Sequence, residues 1–191
     1  MKRKGIIAAG LLILMAAVPS CAGFTYARIF MPAAYGLTCF DDDICVDDRT
    51  RLAEARALRD DAVAFVTERV GPFKAPPRLL FCSTTDCFAR FGNPQVWGLY
   101  FWGTGRLVVN ETGWHDYIIR HELIHHWQAE NFGVLPSSKG LPRWYIEGMA
   151  YVMSADPRDV IPHGPSQDHR AAFNAWLAAG NDWRVPPRIA R

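Results

Sequence analysis

The chain has 191 residues, of which 50% are hydrophobic, 13% aromatic and 21% charged; that length suits one domain with a short appendage, and the composition excludes disorder as its main state. The formal charge of +2 is unevenly placed, because Lys2, Arg3 and Lys4 precede residue 25 and no acidic residue does. The remaining body is nearly neutral and has no electrostatic preference for nucleic acid, so that class of partner is excluded first.

The three amino-terminal cations are followed by an apolar run from Gly5 to Val18 that continues, uncharged, to Phe24. Charge then apolarity is the order of an export signal, with the cations held on the cytoplasmic side. About 20 such residues at a rise of about 1.5 Å just span a hydrocarbon core of about 30 Å, so a retained membrane anchor is the leading expectation. Two other fates compete with it. Ser20 and Ala22 are spaced for signal cleavage, and Val18-Pro19-Ser20-Cys21 resembles a lipoprotein box that would lipidate Cys21. All three place the body outside the cytoplasmic membrane. Residues 1–24 are therefore read as signal or anchor and 25–191 as the functional domain.

Residues 25–47 read as irregular, with Asp41-Asp42-Asp43 as a solvated turn that lacks the alternating ligands of a calcium loop. An apolar stripe of Leu52, Ala55, Leu58, Ala62, Phe65 and Val66 predicts a helix over 48–70, ended by Gly71-Pro72. Residues 78–82 read as a buried strand, and Ser83 or Thr84 as the cap of a short helix. Residues 97–102 and 106–110 predict a hairpin around Gly103-Thr104-Gly105. Helices follow over 114–131, closed by Gly133, over 142–154, and over 166–179. Helix, short antiparallel sheet, then helices is an α+β arrangement.

Four cysteines fall in two close pairs, Cys39 with Cys45 and Cys82 with Cys87. In an exported chain an even number suggests disulfides, and of the three possible connectivities the two local pairings are favoured. A four-cysteine zinc cluster and free buried thiols are the alternatives. The spacings of five and four intervening residues differ from the two of common zinc ribbons.

The chemistry concentrates in His121-Glu122-Leu123-Ile124-His125, in the middle of the predicted 114–131 helix. Positions i and i+4 share a helix face with Cβ atoms about 5–6 Å apart, so two imidazoles there reach one ion at about 2.0–2.1 Å. Glu122 points beside such an ion, placed to take a proton from an activated water. A zinc site needs a third protein ligand. Glu147 is the best candidate, because it sits among Trp144, Ile146, Met149 and Val152, where an ionised carboxylate needs a partner. Gly148 and Ala150 are small enough to let this helix approach the first closely. His126 lies about 140° from His121 around the helix and is expected to bond elsewhere. Tyr151, one turn after Glu147, is a candidate stabiliser of the developing oxyanion, and His115 and Asp116 read as capping and surface residues.

With its His-Glu-x-x-His motif, followed after 21 residues by the glutamate of Trp-x-x-Glu-Gly-x-Ala, the chain resembles the gluzincin zinc metallopeptidases. The nearest pattern is the superfamily holding the thermolysin-like and membrane-alanyl-aminopeptidase-like enzymes, and His125-His126-Trp127 matches their His-x-Trp. The resemblance covers residues 105–155. It implies a small zincin-like fold, zinc on His121, His125 and Glu147, and Glu122 as general base. It also implies that the strand at 106–110 borders the cleft and pairs with an extended substrate. His163 and His169 lie where related peptidases place a residue stabilising the tetrahedral intermediate. The motif that holds a substrate amino terminus in the aminopeptidases is absent. A body this small has no second lobe, so the substrate wall must come from residues after Ser154 or from an envelope partner protein.

The expectation is thus an exported, membrane-associated zinc metallopeptidase acting on peptides or proteins. The alternatives are a metal-dependent amidase of cell-wall peptides and a non-catalytic envelope binding module, zinc-stabilised or metal-free.

Overall fold

The computed structural model describes residues 21–134, 140–162 and 164–187. In chain order it contains α1 (Cys21–Phe30), β1 (Thr38–Cys39), β2 (Ile44–Val46), α2 (Leu52–Arg69), β3 (Arg78–Phe81) and α3 (Thr85–Phe88). These are followed by β4 (Gly98–Phe101), β5 (Arg106–Val109), α4 (Asp116–Phe132), α5 (Arg143–Met153) and α6 (Ser166–Ala178). Residues 1–20 of the apolar leader lie outside the described residues, and α1 runs across the boundary drawn at residue 24. No helix among the described residues is long and apolar enough to cross a membrane.

The architecture is α+β, but the sheet is mixed where an antiparallel one was expected. Its order is β1-β2-β3-β5-β4. The hairpin β4–β5 and the pair β1–β2 are antiparallel, whereas β2–β3 and β3–β5 run parallel. The reason is the connections: α2 carries the chain from the end of β2 back to the start of β3, and the α3 segment carries it on to the β4–β5 hairpin, whose second strand then pairs with β3 in parallel. The segment 25–47 is also more ordered than expected, since it supplies the end of α1 and both strands of the first hairpin.

Successive strand residues point to opposite faces, and both faces are covered. Ile44, Val46, Leu79, Phe81, Leu107, Val109 and Tyr100 join α2, α4 and α5 in the larger core. Cys45, Leu80, Cys82, Val108 and Phe101 pack on the other face with Ile29, Leu37, Phe88 and Phe91, which α1, α3 and their loops contribute. Two-sided burial explains why 78–82 and 106–110 are almost continuously apolar.

Polar contacts fix the ends of these elements. Thr84 caps α3 by accepting from the Cys87 amide at 3.2 Å. Asp42 is not merely solvated: its carboxylate pairs with Arg56 at 2.7 Å and with Arg59 at 3.4 Å on α2. Asp43 pairs with Arg78 on β3 at 2.8 Å. Both expected disulfides, Cys39–Cys45 and Cys82–Cys87, are formed, as suits an oxidising compartment outside the cytoplasm.

Gly148 plays a different part from the one expected. A Cβ there would meet α6, lying 2.3 Å from the His169 carbonyl oxygen and 2.6 Å from the Phe173 Cβ. The small residue thus admits α6 and does not serve the approach to α4. Gly148→Ala should destabilise the protein by about 2 kcal/mol, since forced repacking against a backbone carbonyl outweighs the gain in helix propensity of about 1 kcal/mol. Urea unfolding checks this, with the midpoint expected to fall at unchanged slope.

Candidate metal centre

The centre forms where α4 and α5 pack together under the edge of the sheet. α4 is buried on most sides, including His121, Glu122, His125, His126 and Gln128. Each of these polar groups must therefore find a partner within the protein. α5 lays Glu147 against two of them. His125 Nε2 and His121 Nε2 are 3.1 Å apart, and Glu147 Oε2 lies 3.6 Å from the first and 3.8 Å from the second. All three ligand atoms lie within 4.8 Å of one another.

Those three sides test the fit of a metal. A triangle of 3.1, 3.6 and 3.8 Å has a circumscribed radius of about 2.0 Å, the bond length of zinc to imidazole nitrogen or carboxylate oxygen. The donor set of two imidazoles and one carboxylate is that of a catalytic zinc site with an open position. His121, His125 and Glu147 therefore fit a metal ion as they stand.

Electrostatics in the metal-free state point the same way. Burial works against a charged His125, but the Glu147 carboxylate outweighs it and lifts the imidazole to a pKa of about 9. Burial pushes Glu147 upward, and the attraction of His125 and His121 overrides it, holding the carboxylate well below its ordinary range. The cluster thus retains a proton at neutral pH that an incoming cation must displace. For Glu122 burial dominates and raises the pKa, opposed in part by the two histidines.

Two residues that the sequence reading passed over set this geometry. Gln128, fully buried, accepts from His125 Nδ1 through Oε1 at 2.9 Å and donates from Nε2 to the Ile146 carbonyl at 2.9 Å. The second bond fixes which way the amide points. The first then keeps a proton on Nδ1, so that Nε2, which faces Glu147, is the nitrogen that would give up its proton to a cation. The second residue is Gly98 on β4. A Cβ there would lie 2.7 Å from Glu122 Oε1 and 2.8 Å from its Cγ. Only a residue without a side chain lets the carboxylate occupy that space. Gln128 was visible as a polar residue three positions after His125 on the same helix face, and Gly98 as a glycine inside an otherwise bulky strand.

The remaining candidates divide. The Tyr151 ring packs on His121 with centroids 4.4 Å apart, and its hydroxyl donates to Ser166 at 3.0 Å. His169 lines the cleft, and its Nδ1 is buried without a partner among the described residues. His163 lies outside the described residues. His126 bonds away from the centre, with Nε2 donating to the Ala75 carbonyl at 3.0 Å and Nδ1 accepting from Tyr100 at 3.2 Å. Asp116 pairs with Arg120 at 2.8 Å, and His115 stacks on Tyr117.

The centre opens into a cleft of about 390 Å³ that also contains Trp97, Trp102, Arg143, Arg158, Pro165 and Ser166. One wall therefore comes from residues after Ser154, as expected. The bordering strand, however, is β4. β5 is flanked by β3 and β4 and has no free edge, so the expectation that 106–110 lines the cleft is corrected.

No family model, curated protein or solved structure matches this chain.

Removing an orienting partner of a metal-ligating histidine typically weakens metal binding about 10–100-fold. Gln128→Ala is expected to do so here and His121→Ala to abolish stoichiometric zinc. Competition against a chromogenic chelator reads both, and wild-type affinity in Gln128→Ala would remove Gln128 from the centre.

Proposed function

We propose that this chain is an exported zinc-dependent peptidase of gluzincin type. The observation that carries the reading is the convergence of His121, His125 and Glu147 on a zinc-sized triangle within a cleft that Glu122 also lines. The His-Glu-x-x-His motif and its downstream glutamate support the same assignment. The leader supports export, with a membrane anchor, lipidation at Cys21 or cleavage as its outcome, and the two disulfides accord with that side of the membrane.

His121, His125 and Glu147 would hold the zinc, which would supply Lewis-acid polarisation of a carbonyl and lower the pKa of water toward neutrality. The protein's own groups do the rest. Glu122, wedged against Gly98, accepts the proton of the attacking water and returns it to the leaving amine. Burial favours that protonated intermediate state of the carboxyl. The free edge of β4 offers amides and carbonyls to an extended peptide, fixing the scissile bond over the centre. Tyr151 holds the His121 ring in place. His169 is the candidate donor to the developing oxyanion, since its proton is not committed by Nδ1 to any described group.

General-base catalysis typically contributes about 10²–10⁴ in rate. Glu122→Gln is therefore expected to lower kcat on peptide substrates by at least about a hundredfold while zinc content stays at one per chain. Hydrolysis by the variant at the wild-type rate would defeat the assignment. Absence of hydrolysis by the unsubstituted, zinc-loaded protein would favour the non-catalytic envelope module instead.

A further inference from the structure

Arg143 is the charged group in the cleft that the centre leaves without a task. It begins α5 and lines the cleft together with Glu147 and Tyr151, one and two helical turns further along the same face. The other charges there are engaged. Glu147 is held by the two histidines, and Glu122 is buried beside them against β4. Arg158 makes a forked pair with Asp156, at 2.9 and 2.5 Å, and lies over the Trp97 and Tyr117 rings. Arg143, by contrast, is exposed and makes no hydrogen bond or ion pair among the described residues.

Its position is also locally unfavourable. A cation at the first position of a helix lies against the positive end of the helix dipole, and the first turn of α5 holds no acidic residue to offset it. A salt bridge therefore does not account for it, and helix stability would prefer another residue. The guanidinium instead offers the cleft a planar, bidentate donor that none of the described residues engages. Residues one turn apart on a helix have Cβ atoms about 5–6 Å apart. An extended peptide advances about 3.3 Å per residue. A group held by the longer Arg143 side chain therefore lies within a few residues of a bond held at the centre.

We propose that Arg143 is a specificity-determining residue that binds a carboxylate of the substrate, so that the cleft selects peptides bearing a negative charge within a few residues of the bond at the centre. The substrate class rests on the peptidase reading; the carboxylate site itself does not. Two sources share the chemistry, the terminal carboxylate of a peptide and the side chain of an internal Asp or Glu.

The test uses the full chain, zinc-loaded and carrying Glu122→Gln so that peptides bind without turnover. Trp97 and Trp102 in the cleft report binding by intrinsic fluorescence. Tryptophan-free peptides are compared in pairs, one pair differing only in a free or amidated carboxyl terminus and another in an internal Asp or Asn. At least one charged member is expected to bind about tenfold tighter than its neutral twin, as suits a charge-assisted forked bond. Arg143→Gln should bring that ratio to within about twofold of one, and Arg143→Lys should restore part of it. The pair that responds identifies the source. A ratio near one in the parent protein, or one unchanged by Arg143→Gln, overturns the proposal. Hydrolysis by the unsubstituted protein is scored separately. Its absence with an Arg143-dependent ratio intact defeats the peptidase reading and leaves the carboxylate site. Its presence with no such ratio does the reverse.

Discussion

The structure turns on one constraint: α4 carries five polar residues on positions that the surrounding elements largely bury. His121, Glu122, His125, His126 and Gln128 are all buried, and a buried polar group without a partner is expensive. Each therefore dictates what must stand beside it. Gln128 requires the Ile146 carbonyl of α5, His126 requires Tyr100 of β4 and the Ala75 carbonyl, and His125 requires Gln128 and Glu147. Satisfying these groups together fixes α5 on one side of α4 and the edge strand on another. His121 Nδ1 is left without a partner among the described residues. The candidate metal centre is what this accounting looks like from the inside, since the two imidazole nitrogens and one carboxylate oxygen that face each other could share a cation or a proton.

The readable parts of the sequence were those whose signal is local. The spacing of His121 and His125 needs only the helical repeat, and the apolar runs at 78–82 and 106–110 need only burial on two faces. What was not legible depended on distant neighbours. β2 is three residues long and follows three aspartates, so its β-branched Ile44 and Val46 made too short a run to be separated from a turn. The mixed character of the sheet arises from the paths of α2 and of the α3 segment. The hairpin β4–β5 was visible, but which of its strands is the edge depends on β3 pairing with β5. The same limit explains Gly148, whose smallness announced a close approach without saying to which helix, and Gly98, whose partner carboxylate is 24 residues away.

These long-range dependences bear on chemistry as well as on stability. Glu147 and Gly148 are adjacent on α5 and face different partners, the carboxylate toward α4 and the glycine toward α6. Consecutive helix residues are about 100° apart around the axis, so pushing α6 away on one face turns or shifts the other. The sides of the ligand triangle leave little slack, because a displacement of about 1 Å separates a zinc bond of about 2 Å from no bond. α6 packs against Gly148, the residue next to Glu147 on α5, and so bears on where Glu147 stands. Ser166 extends the same control, since its bond to Tyr151 braces the ring that packs on His121. The carboxyl-terminal helix is thus part of the centre by leverage, and the face of α5 that carries Arg143, Glu147 and Tyr151 reaches the cleft in register because α6 backs it from behind.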